Sequence, residues 1–229
     1  MIIGISGKAG AGKDTVAKMI QYLTCPYEHS YDDYKLWYFD YYMALNDYPV
    51  VTNKTWQIKH WGGKLKDIAS ILTGIDRTLF DNQEFKKGNL DSNWEYSDYS
   101  IDGRERKKPY SIRQFLQLLG TDAIRNNLHR NAWVNALMVD YLPFGNNDTG
   151  PIYPNWLIAD TRFPNEIDAI RKRNGLVILV QRPELEDTMS HESETALDDY
   201  REWDGVIINN GNMEDLFNTV KQLTKNWKL

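Results

Sequence analysis

The sequence contains the glycine-rich stretch Gly7-Lys8-Ala9-Gly10-Ala11-Gly12-Lys13-Asp14-Thr15 directly after the apolar run Met1-Ile2-Ile3-Gly4-Ile5. Gly7 and Gly12 enclose four residues and Lys13 follows, which is the spacing of a phosphate-binding P-loop. Glycines allow a tight turn that presents backbone N–H groups to phosphate oxygens, and the lysine adds a cation for the outer phosphates. A β-branched run precedes the loop and a helical pattern follows it. We therefore predict a nucleoside triphosphate site at the positive end of that helix.

The residue after Lys13 departs from the common P-loop. A Ser or Thr whose hydroxyl contacts Mg²⁺ usually stands there, but this chain has Asp14 at that place and Thr15 one position later. This ending predicts that Mg²⁺ is held largely through water and through the triphosphate. Asp14 is either a favourable charge on the first turn of the helix or a group that orders Mg²⁺-bound water or the acceptor. The sequence leaves both interpretations open.

Length, charge and cysteine content limit the class of protein. With 229 residues, the chain is predicted to form a single domain, 1–229, with a proper core. The formal net charge of −5 argues against a general basic surface for nucleic acid. The single cysteine, Cys25, excludes an internal disulfide framework and fits a reducing cytoplasm. We expect no signal peptide and no membrane partner, because glycines interrupt the first apolar run and no later run approaches bilayer length.

Short apolar strands alternate with helical patterns along the chain. The predicted strands are Ile2–Ser6, Trp56–His60, Trp156–Asp160, Leu176–Gln181 and Val206–Ile208. The predicted helices are Lys13–Leu23, Lys64–Leu72, Ile112–Leu119, Asn131–Tyr141, Pro164–Arg173 and Met213–Leu223. This alternation predicts an α/β fold, with a mostly parallel sheet and helices on both faces. Together with the P-loop, it indicates a three-layer P-loop NTPase fold.

Two regions interrupt the alternation and are predicted to be inserts in the domain. The first, at about residues 25–55, is rich in Tyr and Asp and has weak periodicity. The second, at about 89–109, is polar and turn-prone and ends in a cluster of charges. Long loops inside a compact domain are usually lids, binding loops or disordered segments. We therefore expect lid or acceptor-binding segments in these regions.

An apolar strand that ends in a carboxylate is the second functional signal. The stretch Trp156-Leu157-Ile158-Ala159-Asp160 places Asp160 at the carboxyl edge of the sheet, where ligands of doubly wound folds bind. In P-loop enzymes a carboxylate at this edge helps to hold Mg²⁺ or its waters, and Arg162 is a candidate phosphate contact. In the alternative interpretation, Asp160 caps the next turn and Arg162 is a surface charge. The presence of the P-loop favours the functional interpretation.

A polar pair and a tryptophan on two later helices are weaker signals. The predicted helix after Ser111 has an apolar stripe that leaves Arg113 and Gln117 on a common face away from the core. An arginine and an amide on one helical face can hold a phosphate and the edge of a base, whereas on an isolated helix a solvated face is the better interpretation. For Trp133, packing is at least as good an explanation as base stacking. The histidines are scattered without metal-ligand spacing, which argues against a metal site made by the protein alone.

With these segments in order, the chain resembles the deoxynucleoside monophosphate kinases of bacteriophages. Four stretches carry the resemblance: Ser6–Thr15, Arg113–Trp133, Asp160–Arg162 and Asn209–Leu216. The Lys-Asp-Thr ending of the P-loop is normal in that family. The segment Leu119-Gly120-Thr121-Asp122 is its most specific mark, because P-loop proteins at large have no counterpart to it. The insert at 25–55 looks like extra material relative to the family.

The resemblance implies a kinase that transfers a phosphoryl group from ATP to a deoxynucleoside 5′-monophosphate and so supplies deoxynucleotides for DNA synthesis. ATP and Mg²⁺ are the implied cofactors. The residues expected to hold ATP are Gly10, Ala11, Gly12, Lys13, Asp14, Thr15 and Asn210. Thr15 and Asp160 are expected to hold Mg²⁺ through water.

The resemblance also implies an acceptor site and a reaction centre. The residues expected to bind the acceptor are Lys66, Arg113, Gln117, Trp133, Arg162 and Glu166. The residues expected to be catalytic are Lys13, Arg113, Asp160 and Arg162. The acceptor phosphate is already anionic at neutral pH, so transfer needs cations that bring two polyanions into line rather than a strong base. A closing segment then has to exclude water, which would otherwise hydrolyse ATP.

Other functions would use the same motifs. A related P-loop kinase acting on hydroxymethylated pyrimidines in DNA would need a basic track for the backbone, against which the acidic net charge argues. The basic residues at 104–108 keep this alternative open. A kinase of another small acceptor, such as dephospho-coenzyme A or a nucleoside, and a nucleotide-gated switch that hydrolyses ATP without an acceptor are further alternatives. A homodimer is compatible with the surplus of aromatic residues, and the preferred base is not predicted.

Overall fold

The computed structural model describes residues 1–25, 30–36, 56–99, 103–148, 150–184 and 191–229. These residues form two compact units, one made of Met1–His60 and Val139–Leu229 and the other of Trp61–Met138. Most of the first predicted insert, 25–55, lies outside the described residues. In the part of the chain that is described, no helix is long and apolar enough to cross a membrane.

Strands and helices alternate as the sequence predicts. The strands are β1 (Ile2–Ser6), β2 (Trp56–Lys59), β3 (Glu95–Tyr99), β4 (Glu105–Pro109), β5 (Gly145–Asn147), β6 (Gly150–Ile152), β7 (Asn155–Thr161), β8 (Leu176–Gln181) and β9 (Gly205–Ile208). The helices are α1 (Lys13–Leu23), α2 (residues 31–36), α3 (Gly63–Thr73), α4 (Ile112–Gln117), α5 (Ala132–Met138), α6 (Pro164–Arg171), α7 (Glu192–Thr195) and α8 (Met213–Trp227). A π-helical segment, Leu118–Asn126, continues α4.

The first unit is built around a parallel sheet of five strands in the order β2-β7-β1-β8-β9. The five predicted strands coincide with these to within one residue at each end, and the prediction of a parallel sheet is confirmed. The central strand β1 pairs with β7 on one side and β8 on the other. The connection from β7 to β8 therefore passes over β1, and the strand order reverses at this strand. Doubly wound sheets bind ligands at such a reversal, at the carboxyl ends of the strands.

Helices cover both faces of this sheet, as predicted. Ile3 and Ile5 on one face of β1 pack in a buried cluster with side chains of α1 and α8, among them Ile20 and Phe217. A Cβ on Gly4 would lie on the opposite face of β1 and would overlap the side chain of Ile170 on α6. The absence of a side chain at Gly4 thus lets α6 pack closely on the strand that leads into the P-loop.

The second unit has its own apolar core and carries an exposed hairpin. Its core contains Phe80, Ile112 and Phe115. The second predicted insert, 89–109, is not a long loop in its described residues, because β3 and β4 pair antiparallel within it. Both strands are half-buried or exposed, so the hairpin lacks the alternation of apolar and polar residues that identifies a strand in a sequence.

Candidate active site

The P-loop adopts a conformation that only glycine accommodates easily. Gly7, Gly10 and Gly12 have φ angles of 146°, 81° and 102°, all in the region that disfavours side chains. A Cβ on Gly7 would also overlap the carbonyl oxygen of Val180 on β8. The amide of Ala11 donates to the carbonyl oxygen of Lys8 at 3.1 Å and closes the turn. The loop therefore begins in direct contact with the central sheet.

Asn209, at the carboxyl end of β9, supports the loop from the other side. Its Nδ2 atom donates to the carbonyl oxygen of Ala11 at 2.9 Å. A Cβ on Gly12 would stand 2.9 Å from the same nitrogen, so the contact depends on glycine there. The neighbouring Asn210, which the resemblance implies as an ATP-binding residue, is exposed, and its contact with ATP stays a prediction.

Lys13 lies inside the P-loop with only 8% of its surface exposed. Its Nζ atom donates to the carbonyl oxygens of Gly7 at 2.7 Å and Lys8 at 2.9 Å. Burial, with the positive charge of Arg162, lowers the pKa of Lys13 to about 8, although the carboxylates of Glu194, Asp14 and Asp160 oppose this shift. The pKa of Lys13 thus lies close to neutral pH in the free protein, and an anion bound beside it would stabilise its protonated form.

This lowered pKa predicts how activity depends on pH. Phosphate binding needs the protonated lysine, so kcat/KM for ATP is expected to be nearly full at about pH 7, half of that at about pH 8, and to fall by about tenfold per pH unit at higher pH. The measurement is a pH–rate profile of the free enzyme with ATP varied. Lys13→Arg is the matched control, since guanidinium stays charged, and its residual activity should show no such fall. A wild-type profile that stays flat to pH 10 would contradict the assignment.

Asp160 and Arg162 stand next to the P-loop at the end of β7. Thr161 pairs in register with Ser6, the residue before Gly7. Asp160 is partly buried and close enough to Lys13 to raise its pKa. The Nη1 atom of Arg162 donates to a carboxylate oxygen of Glu194 and to the carbonyl oxygen of Ser193, the latter at 3.3 Å. The structure therefore brings three predicted catalytic residues, Lys13, Asp160 and Arg162, to one edge of the sheet.

The donor set at this edge suits a triphosphate and a hard cation. The P-loop glycines at positive φ give a main chain without side chains, which is what close approach of phosphate oxygens requires. Thr15, on the first turn of α1, supplies a hydroxyl and Asp160 a carboxylate, and such oxygen donors are the ones Mg²⁺ prefers. The residues present therefore fit ATP and Mg²⁺.

Two further side chains lie near the first turn of α1 and at the start of α6. Asp14 is 3.1 Å from the Nε2 atom of His60, which follows β2, so Asp14 has a tertiary partner that the sequence did not indicate. Glu166 is buried, and its Oε2 atom accepts from the backbone amides of Arg162 at 2.7 Å and Phe163 at 3.0 Å. Glu166 therefore holds the backbone that carries Arg162, and its predicted contact with the acceptor stays a prediction.

The remaining predicted acceptor residues lie in the second unit. Lys66 on α3 donates to Asp81 at 2.6 Å. Arg113 on α4 donates from Nη2 to Gln83 at 3.4 Å, and Gln117 is partly buried one turn later. These polar groups belong to the helices that surround the apolar core of the unit. Their contact with an acceptor stays a prediction.

The segment Leu119–Asp122, the most specific part of the family resemblance, lies within the π-helical segment Leu118–Asn126. The carbonyl oxygen of Gly120 accepts a hydrogen bond from the Nε1 atom of Trp133 at 2.8 Å. A Cβ on Gly120 would stand 2.6 Å from the side chain of Leu65, so this glycine allows α3 to approach. The hydrogen bond from Nε1 to Gly120 orients the indole of Trp133 by its polar edge. π-Helical turns occur often at functional sites, which is consistent with the predicted acceptor role.

Comparison with known proteins gives a family match. The family model described as deoxynucleotide monophosphate kinase matches residues 67–220. The chain is similar to the deoxynucleotide monophosphate kinase of Enterobacteria phage T4, with 38% identity over 116 residues that make up 51% of this chain and 46% of that protein. It is similar to the deoxynucleotide monophosphate kinase of Escherichia phage RB69 with 31% identity over the same shares.

The matches have limits along both chains. The chain spans less than half the length of these two relatives. The match to the family model begins at residue 67, after the P-loop, and includes the positions of Arg113, Trp133, Asp160 and Arg162. The family match and the P-loop geometry are therefore separate observations.

Proposed function

This chain belongs to the deoxynucleotide monophosphate kinase family, and we therefore propose that it transfers a phosphoryl group from ATP to a deoxynucleoside 5′-monophosphate. The observation that carries the proposal is the grouping of the P-loop, Lys13 and Arg162 at one edge of the parallel sheet. An arginine beside the P-loop lysine can stabilise the charge that develops on the transferred phosphoryl group, and the family match favours a nucleotide over water as the acceptor of that group. We propose that residues 1–229 act as one kinase domain.

The chemistry requires neutralisation of charge rather than proton abstraction. The acceptor phosphate carries its own negative charge at neutral pH, and the barrier lies in bringing it into line with the γ-phosphate of ATP. In the proposed mechanism, Lys13 and Arg162 stabilise the oxygens of the transferred group, and Arg113 holds the acceptor phosphate. Mg²⁺, bound near Thr15 and Asp160, would neutralise further charge on the phosphates of ATP.

Acceptor recognition is assigned to the second unit. In the proposal, Arg113 and Gln117 contact the phosphate and the base edge, and Trp133 offers its ring to the base. The hydrogen bond from Trp133 to Gly120 supports this role, because it fixes the ring plane before a ligand arrives. Lys66 contributes a further cation on α3.

Cellular location and assembly belong to the same proposal. A cytoplasmic enzyme would meet free nucleotides and would keep Cys25 reduced. A homodimer stays a prediction, and sedimentation equilibrium of the purified chain tests it. The hairpin region 95–109 has four basic and four acidic residues, so its charges balance and do not favour a DNA substrate over a free nucleotide.

Release of ADP tests the proposal against its alternatives. With Mg²⁺ and ATP, we expect at least one deoxynucleoside monophosphate to raise the rate of ADP release about 100-fold or more over the rate without acceptor. The assay compares the four deoxynucleotides, the matching ribonucleotides and DNA containing hydroxymethyluracil. Equal slow hydrolysis under all conditions would support a switch and contradict the kinase. A response to the modified DNA alone would move the function to DNA modification.

A further inference from the structure

Arg162 is held by a carboxylate from a short helix far along the chain. Glu194 lies on α7, and its side chain is only 4% exposed, whereas that of Arg162 is 30% exposed. The Nη1 atom of Arg162 donates to a carboxylate oxygen of Glu194, and the carbonyl oxygen of Ser193 accepts from the same nitrogen at 3.3 Å. A buried carboxylate therefore fixes one end of the guanidinium while part of the side chain still faces solvent.

The same helix is also attached to the P-loop itself. Lys8 donates from Nζ to the backbone carbonyl oxygen of Glu194 at 2.8 Å and to a carboxylate oxygen of Asp198 at 2.6 Å. Glu194 thus connects two parts of the edge, Arg162 through its side chain and the P-loop through its backbone. The position of the carboxylate is consequently set by the loop that would carry the phosphates of ATP.

We propose that Glu194 is the positioning residue that sets the guanidinium of Arg162 beside the P-loop for phosphoryl transfer. The inference rests on the proposed function, because it assigns Arg162 a partner in that reaction. Arginine has a long side chain with many rotamers, and a charge-assisted hydrogen bond to a fixed carboxylate selects among them before substrates bind. Burial of Glu194 strengthens this hydrogen bond, because electrostatic attraction is stronger where little water reaches the carboxylate.

Electrostatics gives Glu194 a second reason to stand there. Lys13 and Arg162 are two cations at one edge, and the charge of Arg162 disfavours the protonated form of Lys13. The carboxylate of Glu194 acts in the opposite direction on the pKa of Lys13. Without it, both cations would repel each other in the free protein, and Arg162 would turn towards solvent.

A double-mutant cycle tests the inference in the full chain. We expect Glu194→Gln to lower kcat about 30-fold and to change KM for ATP less than about threefold, because the loss falls on the transition state. In an Arg162→Ala background, Glu194→Gln should change kcat less than about twofold. Glu202→Gln, which removes the same charge from an exposed position, is the matched control and should retain wild-type kcat. The same loss in both backgrounds would overturn the proposal.

A second measurement needs no turnover and separates this inference from the proposed function. Nitrogen-15 NMR of the arginine side chains in the free protein reports rotation of the Arg162 guanidinium, assigned with Arg162→Lys. Slow rotation in the wild type and in Glu202→Gln but fast rotation in Glu194→Gln is the expected result. Unchanged rotation in Glu194→Gln would overturn the proposal. If the wild type phosphorylates no deoxynucleotide, the proposed function fails, and this measurement still decides the role of Glu194.

Discussion

Lys13→Met is expected to lower the rate of phosphoryl transfer about 10³-fold while the protein stays folded. Methionine keeps the buried stem of the side chain but removes the cation that would neutralise the outer phosphates of ATP. The wild-type lysine is charged in a buried place that lowers its pKa to about 8, so loss of the charge also removes a cost of burial. We therefore expect the midpoint of thermal unfolding to stay within about 4 °C of the wild type.

The measurement is the steady-state rate with saturating acceptor, together with a thermal melt of each variant. Lys225→Met is the matched control, because Lys225 is an exposed lysine in the last turn of α8. This control should have the wild-type rate. Near-normal turnover in Lys13→Met would contradict the assignment of the P-loop as the ATP site.

Gly7→Ala is expected to lower the free energy of unfolding by about 3 kcal/mol. Two costs add at this position. The φ angle of 146° is one that L-residues rarely adopt, and the new methyl group would overlap the carbonyl oxygen of Val180 in the central sheet. The backbone must move because the obstacle is itself backbone, so the loop should also lose its affinity for ATP.

Gly150→Ala separates the two costs. Gly150 has a φ angle of 121°, and nothing lies within 4 Å of a Cβ built there, so this variant carries backbone strain without overlap. We expect it to lose only about 1 kcal/mol. Urea denaturation of both variants gives the difference. Equal losses of unfolding free energy in the two variants would show that overlap with Val180 adds no cost to Gly7→Ala.

The central sheet could be predicted because each strand has a local signal. Leu176 to Val180, for example, is an uninterrupted apolar run between the Asn174-Gly175 turn and the charged residues after Gln181. A parallel strand covered on both faces requires such a run. Helix α1 was equally visible, since it follows the P-loop and keeps a helical spacing of apolar residues.

Elements without a core-facing pattern were not visible in the sequence. The strands β3 and β4 expose most of their side chains, and one side-chain contact of the hairpin is the stacking of Tyr96 on Tyr110, which follows β4, with ring centroids 4.5 Å apart. The change from α4 to a π-helical segment at Leu118 was also missed, because the predicted helix continued to Leu119 on apolar spacing alone. Hydrogen-bond geometry within a helix leaves little mark on that spacing.

The candidate site likewise contains residues that the sequence predicts and residues that it does not. Lys13 and Arg162 follow strands and belong to recognisable motifs, so their position at one edge of the sheet could be expected. Glu194 and His60 were missed as partners of this edge, because each reaches it from a distant part of the chain, whereas Asn209 belongs to a stretch that carries the family resemblance. The carboxyl ends of the strands offered the available signal, since Asn209 follows β9 and His60 follows β2 directly.

Transfer of label from [γ-³²P]ATP to a deoxynucleoside monophosphate is the most direct measurement of the proposed activity. The wild-type protein, Mg²⁺, labelled ATP and each deoxynucleotide are incubated in turn, and the products are separated by chromatography. The proposed mechanism predicts label in the β-phosphate of a deoxynucleoside diphosphate and little free phosphate. Label found only in inorganic phosphate, at the same rate with and without acceptor, would contradict it.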